Sequence, residues 1–469
     1  MTASLLRRVA VVWAVITLVA TVSGPSATAI DPPVVAPGPP PTGPVGPTEP
    51  TELKAICGIP SGVLPNTDFS LQTSAEAMLD YTSAWRFSRG AGQKVAVIDT
   101  GVNPNPRLPA LEPGGDYVSN TDGLQDCDSH GTLVAGIIAG SPSPLDGFAG
   151  VAPDATILSI RQNSAVYGLV GAGGGQRNDP NAVSTGYGNT LTLAYAVTRA
   201  VDLGATVINL SMVACSPARA APDDAALGTA LRYAFERNVV VVAAAGNVGK
   251  QGGTGMCVTQ NTMSDPNLPL ERAWESVSTI ASPAWFDEYV LTVAAVTPAA
   301  APADFSLRGP WIGVAAPGER ITSLAANGSG LTNALPDQQG VLAPINGTSF
   351  AAPFVSGLVA LIRSQRPDLS ARQVIDLIER TARTPGRGPN IATGYGVIDP
   401  VAALTYALPA ADQQRDPAAG TPIPGRPHPD PADQRAKIIV FSVAIGCLVL
   451  MGVVWALSIA RRRRMGDAG

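Results

Sequence analysis

The chain is short of the residues that most often announce a binding function. Of its 469 residues 14% are charged and 5% aromatic, and the net charge is −5. Lysine occurs only at Lys54, Lys94, Lys250 and Lys437, the remaining positive charge being arginine. That balance leaves no basic footprint, so nucleic acid is excluded as a partner. Histidine is scarcer still, at His130 and His428. Chemistry that needs an imidazole base has His130 to draw on, because His428 lies in a proline-rich stretch. A second Asp-Thr-Gly to match residues 99–101 is missing, which rules out a pair of carboxylates sharing a proton. The run Gly171-Ala-Gly-Gly-Gly175 lacks the G-x-G-x-x-G spacing of a nucleotide site and reads as part of a long mobile loop, 168–188, near any cleft.

What is present divides the chain by composition. Arg7 and Arg8, the apolar run 9–22 and the small residues ending Ala27-Thr-Ala29 have the layout of a secretory signal over 1–29, with the mature chain beginning near Ile30. Residues 30–90 form an extension, proline-rich from Pro32 to Pro50, that cannot pack as a helix or inner strand. Residues 91–408 read as one domain, 409–437 as a proline-rich stalk, and 438–460 as 23 uncharged residues long enough for one transmembrane helix. Arg461 to Arg464 open a basic tail, 461–469, which the positive-inside rule places in the cytoplasm with the domain outside.

Inside the domain, apolar β-branched runs at 95–98, 156–160, 207–210, 239–243, 290–296 and 312–315 alternate in part with helical patterns at 130–139, 191–203, 224–237, 349–366 and 371–382. Continuous apolar strands between helices predict a mostly parallel central sheet covered on both faces, a three-layer α/β domain. Ligands bind such sheets at the carboxyl ends of the strands, where Asp99 and Asn247 fall. Of the five cysteines, Cys447 lies in the apolar span. The other four allow three pairings in an oxidising compartment. Cys215 and Cys257 each follow a strand, and parallel neighbours would bring both to one sheet edge. That favours Cys215 with Cys257 and leaves Cys57 with Cys127, pinning the extension beside His130.

Three segments carry the chemistry: Val95-Ala-Val-Ile-Asp-Thr-Gly101, Asp128-Ser-His-Gly-Thr-Leu-Val-Ala-Gly136 and Gly347-Thr-Ser-Phe-Ala-Ala-Pro353. An apolar run ending in Asp99, His130 opening an apolar helix and Ser349 opening another after a glycine can assemble an Asp/His/Ser nucleophile system. An isolated Gly-Thr-Ser would be only a helix cap, and an isolated Gly-Asn only a turn. Here Asn247 ends the run Val239-Val-Val-Val-Ala-Ala-Ala-Gly-Asn247, where its amide can donate to a developing oxyanion together with the Ser349 N–H. Asp122, Asp126, Asp128 and Asp146 cluster loosely, and solvated loop faces explain them better than calcium. No metal or cofactor is expected.

Over roughly residues 91–404 these motifs, in the order Asp, His, Ser, resemble the subtilisin-like serine proteases. The resemblance implies Asp99 orienting His130, His130 as general base and acid, Ser349 as nucleophile and Asn247 as oxyanion donor. Loss of such a donor costs ~10²–10³ in turnover in subtilisin itself, so that figure comes with the resemblance. It also implies that Ser211, Met212 and Val213, with Ala244, Ala245 and Gly246, line the peptide cleft and its first specificity pocket. These residues carry no acid, so small or medium apolar residues are the expected preference before the scissile bond. Signal, cysteine-bearing extension, stalk, single span and basic tail together look like a mycosin, a membrane-anchored protease of type VII secretion systems. That likeness implies a protease at the cell membrane, its domain extracytoplasmic, acting on protein substrates beside a secretion complex. A largely structural subunit of that complex and a general surface protease without a secretion partner are the alternatives. Too few residues precede the domain for a folded inhibitory pro-domain, so the extension is expected to stay wrapped on the domain through Cys57–Cys127.

Overall fold

The computed structural model describes residues 30–58, 61–171, 180–220, 222–249, 257–263, 269–337, 339–384, 386, 388–407, 448, 450–457 and 459. They fall into two units, 1–414 and 415–469. The signal segment 1–29, the stalk 409–437 and the basic tail 461–469 lie outside the described residues. Within the second unit the described residues 448, 450–457 and 459 are helical, with Leu448, Leu450, Val454, Trp455 and Leu457 exposed. No helix among the described residues is long and apolar enough to cross a membrane, most of 438–460 falling outside them.

The first unit is built on a seven-stranded parallel sheet. Its strands are β1 (Lys94–Asp99), β2 (Leu111–Asp116), β3 (Thr156–Arg161), β4 (Val207–Leu210), β5 (Val240–Ala244), β6 (Val290–Val296) and β7 (Ile312–Pro317). They lie in the order β7-β6-β5-β4-β1-β3-β2. Valine, isoleucine and alanine fill the inner strands, which are buried on both faces as covered parallel strands must be. Helices α1 (His130–Ala139) and α4 (Thr348–Gln365) pack on each other and on the sheet, while α2 (Thr190–Asp202) and α3 (Ala225–Glu236) pair separately against it. Helix α5 (Ala371–Thr381) packs near β5 and β7, its Ser370 and Gln373 exchanging a capping box. The architecture is the three-layer α/β domain expected.

Strand β2 was not foreseen. Leu-Glu-Pro-Gly-Gly-Asp has no apolar run, and it pairs only with β3 at the sheet edge, shifting register between Pro113 and Gly115. An edge is where a strand tolerates proline and a bulge. Because the chain leaves β1 toward β3 on one side and returns to β4 on the other, the strand order reverses at β1. The carboxyl ends of β1 and β4 therefore open a crevice, and Asp99 and Ser211 stand at it.

The extension is not a detached spacer. Pro32 to Pro50 is extended as expected, yet it runs over α2 and α3: Arg232 donates to the carbonyls of Ala36 and Gly38, each at 3.0 Å. Gly43 passes so close to Tyr195 that a side chain there would collide with the ring. Residues Thr51–Leu53 then pair antiparallel with Tyr167–Leu169. The start of the expected mobile loop is thus a strand held by the extension, and residues 172–179 lie outside the described residues. Cys57 is joined to Cys127 and Cys215 to Cys257.

Candidate active site

The crevice is a cleft of about 540 Å³ whose walls include Asp99, His130, Asn247 and Ser349. Asp99 is the last residue of β1 and fully buried. Its Oδ1 lies 2.8 Å from His130 Nδ1 and accepts the Thr100 N–H at 2.7 Å. The turn that delivers it needs glycine: Gly101 has φ +99, and a side chain there would run into the Gln125 carbonyl. Gly131 is equally constrained, since a Cβ would strike the Gly101 carbonyl and reach 3.2 Å from Asp99 Cβ. That close approach lets α1 start against the end of β1.

Asp126 and Asp128, flanking Cys127, correct the expectation of solvated loop faces, because both are buried. Asp126 accepts from Thr132 N (2.9 Å), Thr132 Oγ1 (2.6 Å), Thr100 Oγ1 (2.9 Å) and Asp128 N (3.0 Å). It fastens the turn after β1 to the first turn of α1. Burial pushes its carboxyl up to about 6, against the hydrogen bonds from Thr132 and Thr100. Asp128 accepts from Ser164 Oγ at 2.6 Å and Ala165 N at 2.8 Å, and burial raises it too. Asp146 instead pairs with Arg107 at 2.8 Å, and Asp122 accepts the Leu124 N–H. Among the described residues no three metal-ligating side chains converge.

Burial of the His130 ring opposes its positive charge. The carboxylates outweigh that: Asp99 by charge and hydrogen bond, then Asp126 and Asp128, hold the imidazole above its ordinary value. With Nδ1 committed to Asp99, Nε2 is the ring nitrogen left to exchange a proton.

Ser349 is 8% exposed in the first turn of α4, and the following Phe350 ring packs 5.0 Å from the His130 ring, centroid to centroid. Asn247 follows β5. Its Oδ1 accepts from Thr348 N at 3.0 Å and Thr348 Oγ1 at 3.1 Å, while Thr348 Oγ1 accepts the Gly246 N–H at 3.1 Å. Occupying the oxygen in this way turns the amide nitrogen the other way. A Cβ on Gly347 would sit 3.0 Å from Ser349 Oγ and 3.5 Å from Asn247 Nδ2, so both face one small space that glycine leaves open. An acyl carbon attacked by Ser349 Oγ would find the amide and the N-terminus of an 18-residue helix beside its oxygen.

Ser211, Met212, Val213, Ala244 and Gly246 line the cleft. Ala245 does not: it is fully buried, with its N–H given to Val293 O across to β6. The far wall is the hairpin pairing Ala334–Pro336 with Leu342–Pro344, which the sequence reading passed over. Thr100, Asp126 and Thr348 were also missed as supports. The one signal for them was position, since each directly adjoins or closely precedes a motif residue.

The model of the peptidase S8, or subtilase, family matches residues 90–396. Mycosin-3 of Mycobacterium tuberculosis is 45% identical over 445 residues, covering 94% of this chain and 95% of its own. The solved MycP3 protease from the type VII (ESX-3) secretion system is 47% identical with a TM-score of 0.75, covering 81% of this chain and all of its own. A chain in an intact ESX-5 inner membrane complex is 41% identical with a TM-score of 0.72, over 92% of this chain and all of its own. The chain belongs to the subtilase family of serine endopeptidases and, within it, to the mycosins.

Proposed function

We propose that this protein is a membrane-tethered endopeptidase that cuts exported proteins beside a type VII secretion complex, with Ser349 as nucleophile. His130 Nε2 takes the Ser349 proton and later returns it to the leaving amine. Asp99 holds the tautomer that makes this possible and stabilises the imidazolium as it forms. Asn247 Nδ2 and the Ser349 N–H donate to the oxyanion. The observation that carries this reading is the 2.8 Å contact of His130 Nδ1 with a fully buried Asp99, in the same cleft as Ser349 and Asn247.

Removal of the signal after Ala29, one span at 438–460 and a cytoplasmic tail from Arg461 complete the proposal, with the domain outside the membrane. Support comes from the apolar, outward-facing side chains of the described helical residues 450–457, and from the likeness to a chain of an inner membrane complex. The neutral cleft residues Ser211, Met212, Val213, Ala244 and Gly246 fit small or medium apolar side chains before the scissile bond. The extension, held by Cys57–Cys127 and by the pairing of Thr51–Leu53, stays on the mature protein.

Labelling with a fluorophosphonate tests the core of this reading. The expected result is stoichiometric labelling of the unaltered protein and none of Ser349→Ala, with His130→Ala slowed by several orders of magnitude. An unaltered, folded protein that takes no label refutes it, and mature protein starting near Gly90 refutes retention of the extension.

A further inference from the structure

Helix α4 places Pro353 four residues after Ser349. In an unbroken helix the carbonyl of residue i accepts the N–H of residue i+4, and proline has none to give. The Ser349 carbonyl is satisfied from outside the helix instead: Ser211 Oγ donates to it at 2.7 Å. Ser211 Oγ accepts from Asn209 Nδ2 at 2.8 Å, and Asn209 Oδ1 accepts from Ser356 Oγ at 2.8 Å. Asn209 and Ser356 have no exposed surface and Ser211 has 4%. Every donation runs the same way, from the third turn of α4 through the end of β4 and back to the residue proposed as nucleophile.

We infer that Asn209 and Ser356 are positioning residues for the hydrolytic reaction, aiming the Ser211 hydroxyl so that it anchors the backbone of Ser349 where Pro353 has removed the helical donor. The inference rests on the reading of Ser349 as nucleophile. Asparagine suits the central place because it accepts with one end and donates with the other. A carboxylate of the same shape would accept from both hydroxyls, turning the Ser211 O–H away and leaving a buried carbonyl unpaired. The chain is neutral throughout, so it steers Ser349 without adding charge near His130. Apolar side chains would fill the same space between α4 and β4 without any need for satisfied polar groups. Packing alone therefore does not account for three hydroxyl and amide groups in register.

The test compares fluorophosphonate labelling rate, kcat and KM of the full chain with Asn209→Asp, Ser356→Ala, Ser211→Ala and Ser211→Thr. A small fluorophosphonate reads the nucleophile with little help from the substrate cleft, and near-UV circular dichroism confirms folding. The expected result is a roughly tenfold or greater fall in labelling and kcat for Asn209→Asp and Ser211→Ala, with KM unchanged for Asn209→Asp, which does not line the cleft. Ser356→Ala falls less, and Ser211→Thr, which keeps the hydroxyl, recovers most of the rate. A folded Asn209→Asp protein that labels as fast as the unaltered one overturns the inference. If that variant does not fold, equal labelling of Ser211→Ala and Ser211→Thr overturns it. Unaltered protein that takes no label overturns the protease reading and this inference with it, whereas normal labelling of both unaltered and variant protein overturns the inference alone.

Discussion

On one side of the cleft Asp99 and His130 are held among buried carboxylates; on the other, Ser349 and Asn247 are held among hydroxyls and amides. Asp126 and Asp128 stand behind the first pair and raise the imidazole as they fasten its loop. Thr348, Ser211 and Asn209 stand behind the second pair and carry no charge. The charged half thus couples geometry to proton affinity, and any change there alters both. In the neutral half the two are separate: geometry can fail while the pH profile stays where it was.

The comparison is broken first by its largest expected effects. Asp99→Asn keeps the shape but offers His130 Nδ1 a donor or a neutral acceptor, fixing the wrong tautomer; kcat should fall by about 10⁴. Asn247→Ala removes one of two oxyanion donors and should cost about 10²–10³ in kcat, with KM little changed. Peptide hydrolysis by the folded variants measures both. Equal losses would mean that the two halves do not divide the work as their chemistry suggests.

The same division explains what could be read without coordinates. Six strands were legible because parallel strands buried on both faces are written as unbroken apolar runs, as in Val290–Val296. Asp99, His130, Asn247 and Ser349 could be proposed from sequence because each lies at, or within three residues of, an end of an apolar element and within two residues of a glycine. The supports were not. Asp126 and Asp128 look like any polar loop, and their burial follows from what Thr100, Thr132, Ser164 and Ala165 present to them across the fold. Strand β2 was hidden because its pairing depends on the edge it meets and not on its own side chains. Asn209 and Ser356 read as two polar interruptions of apolar runs, and the clue to them was Pro353, a local gap that only the tertiary neighbour β4 fills.

A middle-sized effect separates the halves by pH. His130 must be neutral to accept the Ser349 proton, so kcat/KM should rise with pH through a value above the ordinary ~6.5 for histidine. Asp126→Asn deletes one of the charges that raise it, so that acid limb should move to lower pH. The same variant should lose about 1–3 kcal/mol of stability and melt at a lower temperature, because an amide nitrogen must now face donors from Thr132, Thr100 or Asp128. Activity followed against pH, alongside thermal melts, checks the pair. An acid limb that stays in place would detach Asp126 from the electrostatics of His130.

The smallest effect belongs to the neutral half and completes the contrast. Thr348→Val removes the hydroxyl that donates to Asn247 Oδ1 and accepts from Gly246 N–H, while Thr348 N still holds Asn247. With one of its two tethers gone, the amide samples more orientations, and kcat should drop about three- to tenfold, equivalent to one modest hydrogen bond. No charge changes, so the acid limb should coincide with that of the unaltered protein. If the limb moved with Thr348→Val, the oxyanion side would have to sense the protonation of His130, and the separation of geometry from proton affinity across the cleft would be lost.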